Sequence, residues 1–255
     1  MSAVVQLVAK PSIDLDATQT YLSSQGFVWS VSDRASMPDQ LVEFAGRLCK
    51  MSFNDLGTYD HTQEFVANIL LQEHESILEH LCWTFLIWGV SRSFSHQVVR
   101  HHVGFSFSQL SQEYSDHRNA HFVKPSILAE MPSASKVFEH AVETAKEAYM
   151  QIQEELCQNK DRVRARTGRQ SVDDIIRSVA RSVLPNATDT AILMTANARS
   201  LRHFLRLRGG QRASEEMRQV CAALLSILKV EAPMIFGDFL EHDLPDGTPL
   251  VEQPR

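Results

Sequence analysis

The residues best equipped for chemistry run from Arg100 to Tyr114 and read RHHVGFSFSQLSQEY. One arginine, two imidazoles and six hydroxyl or amide side chains fall in a stretch without proline. Cations and hydroxyls gathered in this way are what phosphates and heteroaromatic cofactors require. A polar loop solvated on one side has the same composition, so the residues alone leave both readings open. A second cluster spans Asn197 to Arg208, NARSLRHFLRLR. On a helix, residues three and four apart share a face, so Asn197, Ser200 and His203/Phe204 form one stripe and Arg199, Arg202 and Arg206 another. A solvated basic face accounts for Arg202 and Arg206. Arg208, at the helix end beside Gly209 and Gly210, is placed to turn inward onto an anion. A third basic run, Arg162 to Arg169, reads as surface.

Several chemistries are disfavoured by spacing. His74-Glu75 and Glu79-His80 resemble halves of a zinc motif, but four places after His74 stands Leu78, and the Glu-x-x-His of di-iron bundles is absent. No metal site is expected. GxSxG, Walker A and GxGxxG patterns are missing too, which argues against a nucleophile elbow, a P-loop and a Rossmann cofactor site. The 255 residues are 44% hydrophobic and 22% charged, as in an ordinary globular protein. Lys and Arg number 25 against 31 Asp and Glu, and this net charge of −6 argues against a nucleic-acid coat or a polybasic membrane binder. Cys49, Cys82, Cys157 and Cys221 are too scattered for CxxC pairs and are expected to be reduced, buried and structural. With no leader pattern and no window of roughly 18 apolar residues, a cytoplasmic location is expected.

These clusters need elements to hold them. Val4 to Val8 reads as a strand, Pro38 to Cys49 and Thr62 to His74 as helices, and His80 to Val90 as a buried strand dense in β-branched and aromatic residues. Ser93 to Arg100 reads as a helix entering a loop at Val103–Gly104. Further helices are expected over Lys136–Leu156, Val172–Val183, Ala198–Leu207 and Ser214–Leu228, with a β-like segment at Thr188–Thr195. The helix ending at Val183 stops before Pro185, as helices tend to do. The expected architecture is α+β: one domain over 1–255, several long helices packed with a small antiparallel sheet, and a frayed tail at 243–255.

Three motifs in order resemble the flavin-dependent thymidylate synthases. That family's signature, RHRxxSxxxxSxR, is preceded by a TxxEH-like junction and followed by an NARSLxxFLxLR block. Here Ser76-Ile77-Leu78-Glu79-His80 follows His74, with Ser in place of Thr, and Asn197 through Arg208 matches every fixed letter of the last block. The resemblance covers Val4 to about Phe239. The central signature departs from the pattern: His102 replaces Arg, and one extra residue precedes Ser106, which pairs with the first Ser. Ser111 takes the second Ser, and Glu113 stands where Arg is usual. The family uses that Arg near the nucleotide phosphate, which a carboxylate repels. Arg118 and Lys124 are the nearby candidates to replace it.

The resemblance implies a thymidylate synthase-complementing type fold and assigns roles position by position. His74, Ser76, Glu79, Arg100, His101 and His102 correspond to FAD contacts, joined by Asn197, Arg199 and His203, the last where Asn is more usual. Gln97, Gln109, Ser111, Arg181 and Arg208 correspond to the nucleotide pocket, with Arg100 near both ligands and Arg208 and Ser111 as catalytic residues. The implied reaction is C5 methylation of dUMP, with methylenetetrahydrofolate as one-carbon donor and NADPH as reductant, in a homotetramer. The altered loop adds the expectation that UMP is tolerated or preferred, its 2′-hydroxyl donating to an acceptor such as Glu113. A catalytically silent flavin- or nucleotide-binding homologue is the alternative. An RNA module built on Arg162–Arg169 and Arg199–Arg208 is disfavoured by the acidic net charge.

Overall fold

The computed structural model describes residues 3–53, 59–168 and 171–254. In chain order, β1 (Val4–Ala9) leads into helices α1 (Leu15–Ser24), α2 (Met37–Leu48) and α3 (Tyr59–Leu71). A 3-10 helix over Glu75–His80 then feeds β2 (Cys82–Ser91), followed by α4 (Arg92–Val98) and β3 (Phe105–Gln109). Next come α5 (Pro132–Gln158), α6 (Lys160–Thr167), α7 (Val172–Ala180) and β4 (Asp189–Asn197). The chain closes with α8 (Ala198–Arg208), α9 (Glu215–Glu231), α10 (Pro233–Phe236), β5 (Leu240–Asp243) and β6 (Pro249–Glu252). The mixed helix-and-sheet class is as expected. Four strands form a sheet in the order β1-β2-β4-β3, and β5 pairs antiparallel with β6.

Local chemistry sets the element starts. Ser36 opens α2 by accepting the Asp39 N–H at 3.2 Å, with Pro38 in the first turn. Ser91 does the same for α4, accepting the Phe94 N–H at 3.0 Å. Along β2 the buried residues Trp83, Phe85 and Ile87 alternate with more exposed ones, the period of a strand.

Packing groups the chain into two compact units, each assembled from separated segments. An α8–α9 unit gathers Val4–Leu86, His101–Phe107 and Leu193 onward. Its α9 buries Met217, Val220, Cys221, Leu224, Leu225 and Leu228, the i, i+3, i+4 spacing of one helix face. That face packs on β1, β6, α8 and α10. A second cluster in this unit sets Trp29 5.3 Å from Phe44 and Phe44 5.6 Å from Phe53, over Ile13 and Leu22. An α5–α7 unit gathers Ile87–Arg100 and Ser108–Ile192. There α5 packs against α7, with Tyr149, Val172, Ile176 and Ala180 buried.

Several expectations are corrected. The segment 243–255 is not frayed through its described residues: Leu250 and Val251 are buried, and the Val251 N–H donates to the Gly209 carbonyl at 3.0 Å. Arg218 adds a bond from Nε to the Pro249 carbonyl at 3.1 Å, so two apolar residues and one buried arginine hold a stretch that its prolines and polar residues made look loose. The loop expected at Val103–Gly104 is a turn, and within the stretch that also read as a polar loop stands strand β3, in which Phe105, Phe107 and Gln109 are more buried than Ser106 and Ser108. The cysteines are free, but only Cys221 is buried, while Cys49, Cys82 and Cys157 are exposed. The basic run folds as α6, with Arg162, Arg164 and Arg166 exposed as expected, while Arg169 lies outside the described residues. Helix α1 was not anticipated. Among the described residues no helix is long and apolar enough to cross a membrane.

Candidate functional site

In the α8–α9 unit the site is organised by the start of α8. Asn197 ends β4 and caps the helix, its Oδ1 accepting the Ser200 N–H at 2.8 Å. Its own N–H donates to the Gly104 carbonyl at 3.1 Å, and Ser200 Oγ donates to the Val103 carbonyl at 2.8 Å. The Ala198 N–H reaches the Leu81 carbonyl at 2.9 Å, just past the 3-10 helix. Three segments distant in sequence are thereby stitched together. Gly104 makes this possible: it has φ +72°, and a Cβ there would lie 2.1 Å from Ser200 Oγ and 2.5 Å from Asn197 Nδ2. The lengthened signature thus turns on a residue that has no side chain to collide with the helix start.

His101 is half-buried against Phe204, with ring centroids 5.0 Å apart and edge to face. Its Nε2 accepts a hydrogen bond from Arg208 Nε at 3.2 Å. Burial, then the positive charges of Arg208, His203 and His102, hold its pKa below the ordinary 6.5. The ring is therefore neutral at pH 7, and a neutral ring accepting at Nε2 carries its proton on Nδ1. Arg208 does turn inward, but the group it meets is this imidazole.

Glu79 pairs with Arg199 at 2.6 Å, while Glu75 reaches Arg199 at 3.5 Å and Arg206 at 3.2 Å. Exposed pairs of this kind add little stability, and their effect here is to orient the guanidinium of Arg199. His74, Ser76, His102 and His203 are exposed. Exposed imidazoles and a hydroxyl, with the Arg199 guanidinium in the first turn of the eleven-residue α8, are the donor types that an anionic dinucleotide needs. The solvated-face reading of Arg202 is corrected. It is 2% exposed, donates from Nη1 and Nη2 to Asp238 at 2.8 and 2.6 Å, and also bonds the Ile235 carbonyl. A cavity of about 710 Å³ in this unit is lined by residues that include Gln63, Leu70, Glu75, Arg206 and Met234, and none of the expected flavin contacts borders it.

In the α5–α7 unit, Gln109 Nε2 donates to Ser95 Oγ at 2.8 Å and to Thr190 Oγ1 at 3.2 Å. Gln97 is half-buried on α4, and Arg100 is exposed two residues beyond its end. Ser111 Oγ accepts the Glu113 N–H at 3.2 Å in a tight turn. The nearby imidazole, His117, is bonded instead to Ser115 Oγ at 2.9 Å, and among the described residues no base is bonded to the Ser111 hydroxyl to activate it as a nucleophile. Glu113 Oε2 lies 3.6 Å from Arg181 Nη2, and its carbonyl accepts from Arg177 Nε at 2.9 Å. The two cations expected to replace the missing Arg are committed elsewhere: Arg118 to Asp116 at 2.5 Å and Lys124 to Glu139 at 2.7 Å.

Sequence reasoning missed Glu75, which holds two arginines, and Ser95, which positions Gln109. Glu75 lies one helical turn before Glu79, a usable signal; Ser95 left none.

The chain matches the family model described as thymidylate synthase complementing protein over residues 30–234. It is 35% identical over 248 residues to a flavin-dependent thymidylate synthase of Corynebacterium aurimucosum, covering 97% of this chain and 98% of that protein. Identity is also 35% over 251 residues to one from Mycobacteroides abscessus, covering 98% and 95% of the two chains. A third, from Corynebacterium diphtheriae, is 35% identical over 245 residues and 95% of each chain. With a family model spanning most of its length and relatives aligned nearly end to end, the chain belongs to the thymidylate synthase complementing protein family.

Proposed function

We propose that the protein methylates a uracil nucleotide at C5, taking the one-carbon unit from methylenetetrahydrofolate and its electrons from NADPH by way of FAD. The observation that carries this reading is the near-complete alignment with relatives named flavin-dependent thymidylate synthases, at 35% identity. His74, Ser76, Glu79, His101, His102, Asn197, Arg199 and His203 would hold FAD, with Arg100. When bound, the reduced flavin supplies the electron pair that turns the transferred carbon into a methyl group. Gln97, Arg100, Gln109, Ser111, Arg181 and Arg208 would bind the nucleotide. Arg208, steadied by the neutral His101, stabilises negative charge as it develops on the pyrimidine ring, and Ser111 donates to the substrate from a hydroxyl whose lone pair is already taken by the Glu113 N–H.

A homotetramer with sites completed by neighbouring copies is part of the reading. Support comes from the exposure of most of the FAD set and from α5, which buries only Tyr149 among its 27 residues. The cytoplasm is the expected location of such an enzyme.

The substrate sugar turns on Glu113. Its carboxylate lies 3.6 Å from Arg181, and an acceptor there supports tolerance of, or preference for, UMP through a bond from the ribose 2′-hydroxyl. The test supplies equal dUMP and UMP to purified enzyme with FAD, NADPH and methylenetetrahydrofolate, and mass spectrometry reads the methyl gain on each. Gain on UMP supports the full proposal. Methylation of dUMP alone keeps the reaction and removes the sugar preference. A yellow protein that methylates neither overturns catalysis and leaves a silent flavin-binding homologue. If Glu113→Arg slows both sugars equally, Glu113 is not the discriminator.

A further inference from the structure

We infer that His117 is a positioning residue for nucleotide binding: through Ser115 it holds the Ser111 carbonyl and so aims the Ser111 hydroxyl at the uracil nucleotide. The inference rests on the proposed role of Ser111 in the nucleotide pocket.

The turn from Ser111 to Ser115, in the α5–α7 unit, closes on one carbonyl. The Ser115 N–H donates to the Ser111 carbonyl at 3.1 Å, and Ser115 Oγ donates to the same oxygen. Inside the turn the Glu113 N–H donates to Ser111 Oγ at 3.2 Å, while Arg177 Nε holds the Glu113 carbonyl at 2.9 Å. A hydroxyl has a single proton to give. With the Ser115 proton on the Ser111 carbonyl, the 2.9 Å contact between Ser115 Oγ and His117 Nε2 is a hydrogen bond only if the imidazole donates. Both bonds are made together by the tautomer protonated at Nε2, and a relay then runs from His117 through Ser115 to Ser111.

His117 is itself fixed on two sides. It is 5% exposed, its N–H donates to Tyr149 Oη at 3.2 Å, and the two rings meet edge to face at 6.4 Å. Tyr149 is the one buried residue among the 27 of α5, so the inward anchor of that helix is spent on this loop. On the other side the His117 carbonyl accepts the Ala120 N–H at 3.0 Å. The loop is then tied to the start of β4, with the Asp189 N–H on the His121 carbonyl at 2.9 Å. Burial holds the ring's pKa below 6.5, opposed by Asp189 and Asp116 and reinforced by Arg92 and Arg181, so the neutral form prevails at pH 7. A turn held in place before the ligand arrives loses less freedom on binding, which is how a residue that touches no substrate raises affinity.

The test uses FAD-loaded enzyme, nitrogen NMR of the imidazoles and calorimetric titration with UMP and dUMP. The His117 signals, assigned by their loss in His117→Gln, are expected to report a neutral ring protonated at Nε2 at pH 7. Ser115→Ala and His117→Leu should each weaken nucleotide binding about 3- to 10-fold, whereas His117→Gln, which keeps a donor where Nε2 stood, should stay within about twofold of wild type. In a Ser111→Ala background neither Ser115→Ala nor His117→Leu should weaken binding further, because the hydroxyl they aim is gone; a merely structural role predicts the same loss in both backgrounds. Should His117→Leu fail to fold, the half-buried Ser115→Ala carries the same comparison. A ring protonated at Nδ1 alone, or losses undiminished without the Ser111 hydroxyl, overturns the inference and leaves the proposed function standing. A wild type that binds neither nucleotide overturns the nucleotide-pocket reading and the inference with it.

Discussion

Gly104→Ala tests whether the close approach of the signature turn to α8 holds the site together. The new methyl would start 2.1 Å from Ser200 Oγ and 2.5 Å from Asn197 Nδ2, distances that real Cβ contacts do not show. Ser200 can swing away only by giving up its 2.8 Å bond to the Val103 carbonyl, worth about 1 kcal/mol. Displacing Asn197 weakens the α8 cap, worth about 1 kcal/mol more. A left-handed alanine at φ +72° adds about 1 kcal/mol. The sum, about 3 kcal/mol, corresponds to a melting point lower by roughly 6–12 °C for a chain of this size. Gly247→Ala is the control, since Gly247 has φ +74° and nothing within 4 Å of its would-be Cβ. It carries the strain without the collision and should lose only about 2–4 °C. Both variants are melted by circular dichroism, and flavin retention is read from visible absorbance after gel filtration. Melting points within about 2 °C of each other, with flavin retained in both, would refute the claim that this contact is tight.

Two further outcomes follow from buried charge. Arg202→Met should cost about 2 kcal/mol in urea unfolding, less than the usual loss for a fully buried pair because the Asp238 side chain is 36% exposed; an unchanged midpoint would contradict the pairing. His101 should titrate below 6.5 by NMR, since burial and Arg208 disfavour its charged form. As pH falls through 6.5, the unfolded chain takes up a proton that the folded chain resists, so the stability held by neutral His101 is complete above 6.5 and is lost between there and the lower folded midpoint. His101→Gln should remove that part of the acid sensitivity, and a midpoint at or above 6.5 would overturn the account.

Much of the fold was legible because its signals are local. The heptad-like spacing of α9, the serine at the start of α2 and the alternation of β2 each occupy one short stretch, and short-range periodicity is visible in a linear chain. The residue types of the candidate site were visible for the same reason, since the RHH run and the NARSL block are continuous. Strand β3 was hidden because its serines and glutamine made a period-two pattern look like a polar loop. The C-terminal residues gained order from α9 and Gly209, more than 30 residues earlier. Arg199, Arg202 and Arg206 share one helical stripe, yet the first and last meet Glu75 in the open while the middle one is buried on Asp238. Glu113 was identified from sequence as an anomaly, but its neighbours Arg177 and Arg181 are 64 and 68 positions away. Residue type and helical phase are properties of the local chain. Which cation finds which carboxylate depends on contacts between distant segments and was decided only by the tertiary structure.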